Sequence, residues 1–104
     1  MKKLLSIYKN IIIKQVSYEK GDERVQLKCA LVFDNKTINT TLIISQSDFN
    51  RLLSRIILNG YDLDSNTIET INFGDGTEIV EYNFRNTVSV HRFNFNHHVK
   101  QISA

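Results

Sequence analysis

The sequence lacks proline and tryptophan, and it has a single cysteine among its 104 residues. One cysteine, Cys29, excludes an internal disulfide and is typical of a protein from a reducing compartment. No linker, low-complexity tract or internal repeat interrupts the chain. Asparagine, isoleucine and lysine are abundant, which indicates the nucleotide bias of an AT-rich genome rather than a chemical requirement.

Long apolar runs and a strong net charge are also missing. A membrane span needs about 20 consecutive apolar residues, and no window of this chain approaches that length. Residues 1–7 resemble the start of a signal peptide, but Lys9 and Lys14 interrupt the apolar run and no small-residue cleavage site follows. We therefore expect a cytoplasmic protein that does not enter membranes, and its net charge of +2 does not make it a strong polyelectrolyte.

The composition that is present is that of a folded globular protein. Hydrophobic residues make up 41% of the chain and charged residues 23%, which is the balance of an ordered domain. The length predicts one domain over residues 1–104. A domain this small buries a modest share of its surface, and oligomerisation often adds to its stability.

Alternation of apolar and polar residues predicts two neighbouring strands in residues 25–33 and 38–44. A two-residue loop at Asn35 and Lys36 would join them, because asparagine tolerates the positive φ of a tight hairpin turn. That loop pairs Phe33 with Ile38 and leaves the apolar residues of both strands on one face.

A second hairpin is predicted upstream, with its turn at residues 20–23 and Val16 opposite Leu27. Continued without interruption, this register turns Lys14 inward near Cys29. We therefore expect either a β-bulge at this point or a lysine whose ammonium reaches past the edge of the sheet.

One amphipathic helix is predicted after these strands. Five apolar residues share the spacing of a single helical stripe, and they are Phe49, Leu52, Leu53, Ile56 and Ile57. Ser47 is the expected N-cap, and Asn59 with Gly60 the expected stop. Arg51 and Arg55 fall on the side predicted to face solvent.

The C-terminal part predicts further strands. Residues 68–73 and 77–84 form one hairpin, and a loop at 85–87 leads to a strand that begins at Val88. The apolar phase changes near His91 and Arg92, which indicates a bulge or break, and residues 100–104 are expected to fray. The fold class is therefore α+β, with antiparallel strands, the order β-β-β-α-β-β-β and the helix packed on one face. The pattern leaves open whether the strands form one sheet or two.

The candidates for catalytic or metal chemistry are few. Only one of His97 and His98 could join His91 in a metal site, since adjacent residues of a strand point to opposite faces. Cys29 alternates with apolar residues, and a buried thiol is inert. No catalytic triad order or nucleophile elbow occurs in the sequence. We therefore expect no enzyme activity, no metal and no cofactor.

Charge is unevenly distributed along the chain. Residues 1–18 carry four lysines and residues 82–104 carry three basic residues, with no acid in either segment, so the two ends together hold +7. The middle holds all 11 acids against six bases, and so −5. If the terminal strands lie together, a basic edge with interleaved aromatics would suit single-stranded nucleic acid. Its candidate contacts are Lys9, Arg85, Arg92 and Lys100.

The predicted registers also place a group of apolar residues on the face away from the helix, where polar residues are the rule. Its members are Ile11, Ile13, Ala30, Val32 and Ile43. Either the C-terminal strands or a second copy of the chain must cover them.

Three functions follow from these patterns. The favoured hypothesis is a non-enzymatic protein-interaction module that works as a homodimer. Its small size and AT-biased composition are also typical of accessory or inhibitor proteins of bacteriophages and mobile elements. One alternative is a nucleic-acid-binding protein that uses the basic terminal strands, and the other is a small metal-dependent enzyme that uses the C-terminal histidines.

Overall fold

The computed structural model describes residues 8–63 and 67–103, together with their side chains except those of residues 85–87 and 103. These residues form strands β1 (Asn10–Glu19), β2 (Arg24–Val32) and β3 (Thr37–Ser45), helix α1 (Gln46–Leu58), and strands β4 (Ile68–Asn72), β5 (Glu78–His91) and β6 (Lys100–Ser103). The strands make one antiparallel sheet in the order β4-β5-β1-β2-β3-β6. The predicted α+β class and element order are confirmed, and the strands form one sheet rather than two.

Helix α1 begins two residues earlier than predicted. Ser45 is its N-cap, and the Ser45 Oγ accepts a hydrogen bond from the backbone N–H of Asp48 (3.0 Å). Ser47 lies inside the first turn instead. The helix ends as expected, with Gly60 at a φ of 94°, which glycine adopts without steric cost.

The apolar stripe of α1 packs against the sheet. Phe49, Leu52 and Ile56 are buried, and Leu53 is half-buried against the same core. Ile57, which the spacing also placed in the stripe, is 51% exposed. The buried stripe is therefore narrower than predicted.

A β-bulge interrupts β1 at Lys14, which is the first of the two alternatives expected for the inward-facing lysine. The predicted pair of Val16 with Leu27 forms, but the register towards β2 shifts between Ile13 and Gln15. Lys14 is exposed, and its Nζ donates to Asn39 Oδ1 across the sheet (2.8 Å). The extra residue removes the lysine from the core without breaking the strand.

The predicted placement of Ile11 and Ile13 is wrong because of this bulge. A slip of one residue moves every side chain on one side of it to the opposite face, so Ile13 pairs with Cys29 and Ile11 with Leu31. Ile11 is 0% exposed and Ile13 1% exposed, and both belong to the core beneath the helix. Ile12 takes the opposite face in their place.

The β2–β3 hairpin also departs from the predicted register, without the same consequence. Its loop spans residues 33–36, and Leu31 rather than Phe33 pairs with Ile38. This is a slip of two residues along β2. Because side chains alternate with a period of two, the apolar residues keep their face.

The predicted loop at residues 85–87 is wrong, since β5 runs as one 14-residue strand through that position. On either side of the Lys14 bulge, β1 pairs with β5 through Ile13–Val88 and Gln15–Asn83. Residues 84–87 of β5 therefore lie opposite the single residue Lys14 of β1. Arg92, at a φ of 47°, ends the strand. Residues 100–103, expected to fray, form β6 against β3.

The core lies between the sheet, α1 and a crossover segment, residues 92–99, that joins β5 to β6. These two strands are four places apart in the sheet, or about 19 Å at the usual strand spacing. An extended segment of eight residues spans about 28 Å at most. Phe93 and Val99 of the crossover segment are buried in the core with Phe49 of the helix. The face covered by α1 and the crossover segment is called the inner face, and the opposite one the outer face.

Two adjacent substitutions test the bulged register. Ile13→Lys places an ammonium in the core and is expected to lower the free energy of unfolding by at least about 3 kcal/mol. Ile12→Lys changes the outer face and is expected to cost about 1 kcal/mol or less. Urea unfolding at low protein concentration measures both. A larger loss for Ile12→Lys than for Ile13→Lys would contradict the register.

Candidate functional site

A buried carboxylate joins the inner-face elements. Asp48, in the first turn of α1, is 0% exposed. Its Oδ1 accepts the backbone N–H of Asn96 and its Oδ2 that of His97, both at 3.0 Å. Arg51 Nη1 donates to Oδ1 at 2.9 Å, one helical turn away. Asp48 thus ties the helix to the crossover segment.

The electrostatics of Asp48 favour its ionised form. Burial alone would raise the pKa of this carboxyl group, but the N–H groups of Asn96 and His97 and the nearby His97 side chain outweigh burial and hold the pKa below its ordinary value. The carboxylate is therefore charged at neutral pH, and its hydrogen bonds are charge-assisted.

Arg51 and Arg55 do not simply face solvent, as the helical spacing predicted. Arg51 also donates to the carbonyl of Asn94 (3.0 Å), and its guanidinium lies 4.9 Å from the ring centroid of Phe93. Arg55 donates to the carbonyl of His91 (2.9 Å). Both arginines therefore bind the chain as it leaves β5. We call Asp48, Arg51 and Arg55 the helix clamp.

The three histidines do not converge on one site. His91 Nδ1 lies 2.9 Å from Asn10 Oδ1 at the end of β5, whereas His97 Nδ1 lies 3.5 Å from Asp48 Oδ1. His98 is exposed. Within residues 8–63 and 67–103, no group of three histidine, cysteine, aspartate or glutamate side chains is arranged to hold a metal ion.

Cys29 lies in the core, where alternation placed it. The side chain is 1% exposed, and burial raises the pKa of its thiol to about 12, although the charge of Lys14 acts in the opposite direction. The thiol is therefore protonated at neutral pH, and it is shielded from reagents in solution.

The predicted nucleic-acid contacts lie at two separate places. Lys9 and Arg92 are neighbours, with the Arg92 N–H donating to the Lys9 carbonyl (2.8 Å), and Lys9 Nζ forms an ion pair with Asp34 (2.6 Å). Lys100 lies near the opposite end of the strands, beside Ile43. The side chain of Arg85 is outside the described residues.

The aromatic residues proposed for base stacking pack on the inner face. The Tyr82 ring lies 5.1 Å from that of Phe49, and the Phe84 ring lies 5.5 Å from that of Tyr61. Phe93 is 1% exposed. These contacts are edge-on core pairs, so a base could reach most of these rings only by displacing the helix or the crossover segment.

The outer face is the remaining candidate surface. Neither α1 nor the crossover segment covers it, because both lie on the inner face. Ala30 is buried there among its strand neighbours, and five aliphatic side chains are half-buried: Ile12, Val32, Ile43, Ile71 and Ile79. Of the predicted interface, Ala30, Val32 and Ile43 therefore lie on this face, whereas Ile11 and Ile13 do not.

A concavity of about 300 Å³ lies at one end of the outer face. Its floor comes from neighbouring strands, with Ser17 on β1, Gln26 on β2 and Ile43 on β3. Ile79 and Lys100 line it from either side. A cavity of this kind with mixed apolar and polar lining can receive protruding side chains of a binding partner.

The charges of the outer face are ordered across the sheet. Strand pairing aligns one residue from each strand in a single row: Glu69, Glu81, Ser17, Gln26, Ile43 and Lys100. The row is acidic at the β4 side and basic at the β6 side. Glu69 and Glu81 are direct cross-strand neighbours, and like charges in that position repel each other.

Sequence reasoning missed the helix clamp and half of the outer face. Asp48 has a local signal, since an acid suits a helix N-terminus, but its partners Asn96 and His97 are 48 and 49 residues away. The outer-face position of Ile12 depends on the bulge at Lys14.

Comparison with known proteins adds no relative, because no family model, curated protein or solved structure matches the chain. The geometry of the described residues is therefore the basis for the functional assignment. Among these residues, α1 is too short and too polar to cross a membrane.

Asp48→Asn tests the clamp. Losing the charge-assisted hydrogen bonds is expected to lower the free energy of unfolding at pH 7 by about 2 kcal/mol. Because the folded-state pKa is depressed, the carboxylate stabilises the protein above its unfolded pKa, which is about 3.9, and that stabilisation is lost as pH falls through the folded pKa.

Denaturant unfolding at several pH values measures the difference between wild type and Asp48→Asn. We expect this difference to shrink as the pH falls below about 4. The exposed Glu23→Gln is the matched control, and it is expected to stay close to wild type at pH 7. A difference for Asp48→Asn that does not change with pH would refute the charge-based role.

Cys29 gives a second test of the core. A thiol-reactive aromatic disulfide at pH 8 is expected to leave Cys29 unmodified in the native protein and to modify it rapidly in urea. Absorbance of the released thiolate measures both rates. Rapid labelling without urea would show that the sheet opens readily or that Cys29 is not buried.

Proposed function

We propose that this chain is a small non-enzymatic protein-interaction module that acts as a homodimer and binds through the outer face of its sheet. The observation that carries the proposal is the set of half-buried aliphatic side chains on a face that no described element covers. A sheet with one solvated face normally presents polar residues there. Exposed apolar patches on small domains commonly mark interfaces.

The surface has two parts. Ile12 and Ala30 are direct cross-strand neighbours, and Val32 follows on the same face of β2, which gives an apolar group at one end. At the other end, Ile43 and Ile79 both line the concavity. Apolar groups bordered by polar and charged side chains are usual in protein–protein interfaces.

A binding role is also supported by the structural roles of the side chains that could act in catalysis. The Cys29 thiol is buried, and Asp48 and His97 are engaged with each other and with backbone groups. These side chains stabilise the fold at their positions, whereas a catalytic group must reach a substrate from a cleft.

A protein surface suits the outer face better than a nucleic acid does. The cations Lys28 and Lys100 share the face with the acids Glu69 and Glu81. Phosphate backbones bind surfaces of one sign, whereas a mixed pattern complements another protein.

Affinity capture from the source cell tests the proposal when one face is altered at a time. Ile12→Lys changes the outer face, and Leu58→Lys, at a position 81% exposed on α1, is the matched control. We expect wild type and the Leu58→Lys variant to recover the same proteins, and the Ile12→Lys variant to lose them. Nuclease treatment should not change this recovery. Recovery that is indifferent to Ile12→Lys, or that nuclease abolishes, would exclude this binding surface.

A further inference from the structure

We infer that the surface bound by the outer face is the outer face of a second copy, with the two sheets packed about a two-fold axis parallel to the strands, between β1 and β2. The inference rests on the proposed function, since it requires that the outer face bind protein. It adds which face of the second copy is bound and the orientation in which the two copies pack.

The axis follows from the order of the strands. A two-fold rotation about a line parallel to the strands reverses the strand order across the interface, so β4 lies over β6, β5 over β3 and β1 over β2 of the other copy. The rotation does not change the position of a residue along its strand. Each row of outer-face residues therefore faces the same row of the other copy, with the order of its residues across the sheet reversed. This is an isologous interface, in which one patch complements itself.

The charges agree with this orientation. In the row that crosses all six strands, Glu69 of each copy meets Lys100 of the other, and Glu81 lies next to that pair. Lys100 of the second copy thus supplies a cation where two glutamates of one chain face each other. In the next row, Glu19 meets Arg24 of the second copy.

The apolar residues agree as well. Ile12 on β1 meets Ala30 on β2 of the second copy, because these two residues share a row on either side of the axis. In this row a large side chain therefore meets a small one, and each copy contributes both. Alternating large and small residues across facing layers is the arrangement that packs two sheets without voids.

The alternative two-fold axis, perpendicular to the strands, is disfavoured by the same charges. It would place each strand over the matching strand of the other copy and reverse positions along the strands, so that Glu69 and Glu81 on the β4 side could not meet Lys100 on the β6 side. The charge pairing described above would be lost. The polarity of the row therefore selects one of the two symmetric arrangements.

The face is large enough for a stable dimer. Six strands at the usual spacing are about 24 Å wide, and the ten residues of β1 are about 33 Å long. Their product is roughly 800 Å² per copy, which is the size of a standard protein–protein interface.

Sedimentation equilibrium over a wide concentration range tests the inference with two charge reversals. We expect wild type to form dimers. Lys100→Glu and Glu69→Lys should each raise the dimer dissociation constant at least about tenfold, because each creates two like-charge contacts per dimer. Both positions are exposed, so the fold should be kept, and circular dichroism checks this.

Mixing the two variants is the decisive measurement. In a mixed dimer, the lysine introduced at position 69 meets the glutamate introduced at position 100, and the two native residues also meet. The mixture is expected to dimerise within about threefold of wild type. Within one chain, Glu69 and Lys100 lie on opposite edges about 24 Å apart, so recovery has to come from contact between copies.

Two outcomes would overturn the inference. A wild type that is monomeric at every concentration removes the second copy and the homodimer of the proposed function, whereas capture of another protein through Ile12 would still support a protein-binding role of the outer face. A dimer that neither reversal weakens removes this orientation. In that second case, loss of the dimer in the Thr70→Pro variant would assign the contact to the edge of β4 instead.

Discussion

The buried carboxylate of Asp48 is the contact on which the C-terminal half of the structure depends. The crossover segment lacks regular secondary structure for most of its length, so its backbone N–H groups need partners from elsewhere. The Asp48 carboxylate accepts hydrogen bonds from two of these N–H groups, and Arg51 and Arg55 donate to carbonyl groups of the same stretch of chain. This anchoring holds Phe93 against the core and allows β6 to pair with β3, which widens the sheet to six strands.

Much of the fold could be predicted from local patterns. Alternation located β1 to β3, helical spacing located α1, and the Gly74–Gly76 region located the β4–β5 turn. These signals are short-range, and burial on one face reinforces each of them. The predicted register of β2 against β3 was wrong by two residues. Because side chains alternate with a period of two, the residues predicted for the inner face nevertheless lie on it.

Long-range geometry could not be predicted in the same way. A bulge at Lys14 was one of two expected alternatives, but its effect on Ile11 and Ile13 depends on which side of the bulge keeps the predicted register. The β1–β2 turn keeps it on the Val16 side. The continuity of β5 and the path of residues 92–99 are set by contacts with residues far away in the sequence. The candidate surface was therefore half predicted, with Ala30, Val32 and Ile43 on it and Ile12 and Ile79 missed.

The bulge makes Lys14 a position where chain length matters more than residue identity. Its side chain is exposed, so most replacements leave the packing of β1 unchanged. Deleting the residue would instead rotate Asn10 to Ile13 by half a turn about the strand axis, so that Asn10 and Ile12 turned inward in place of Ile11 and Ile13. In the evolutionary record of this fold, a gap at this position would signal a different core, whereas a substitution there would signal almost nothing.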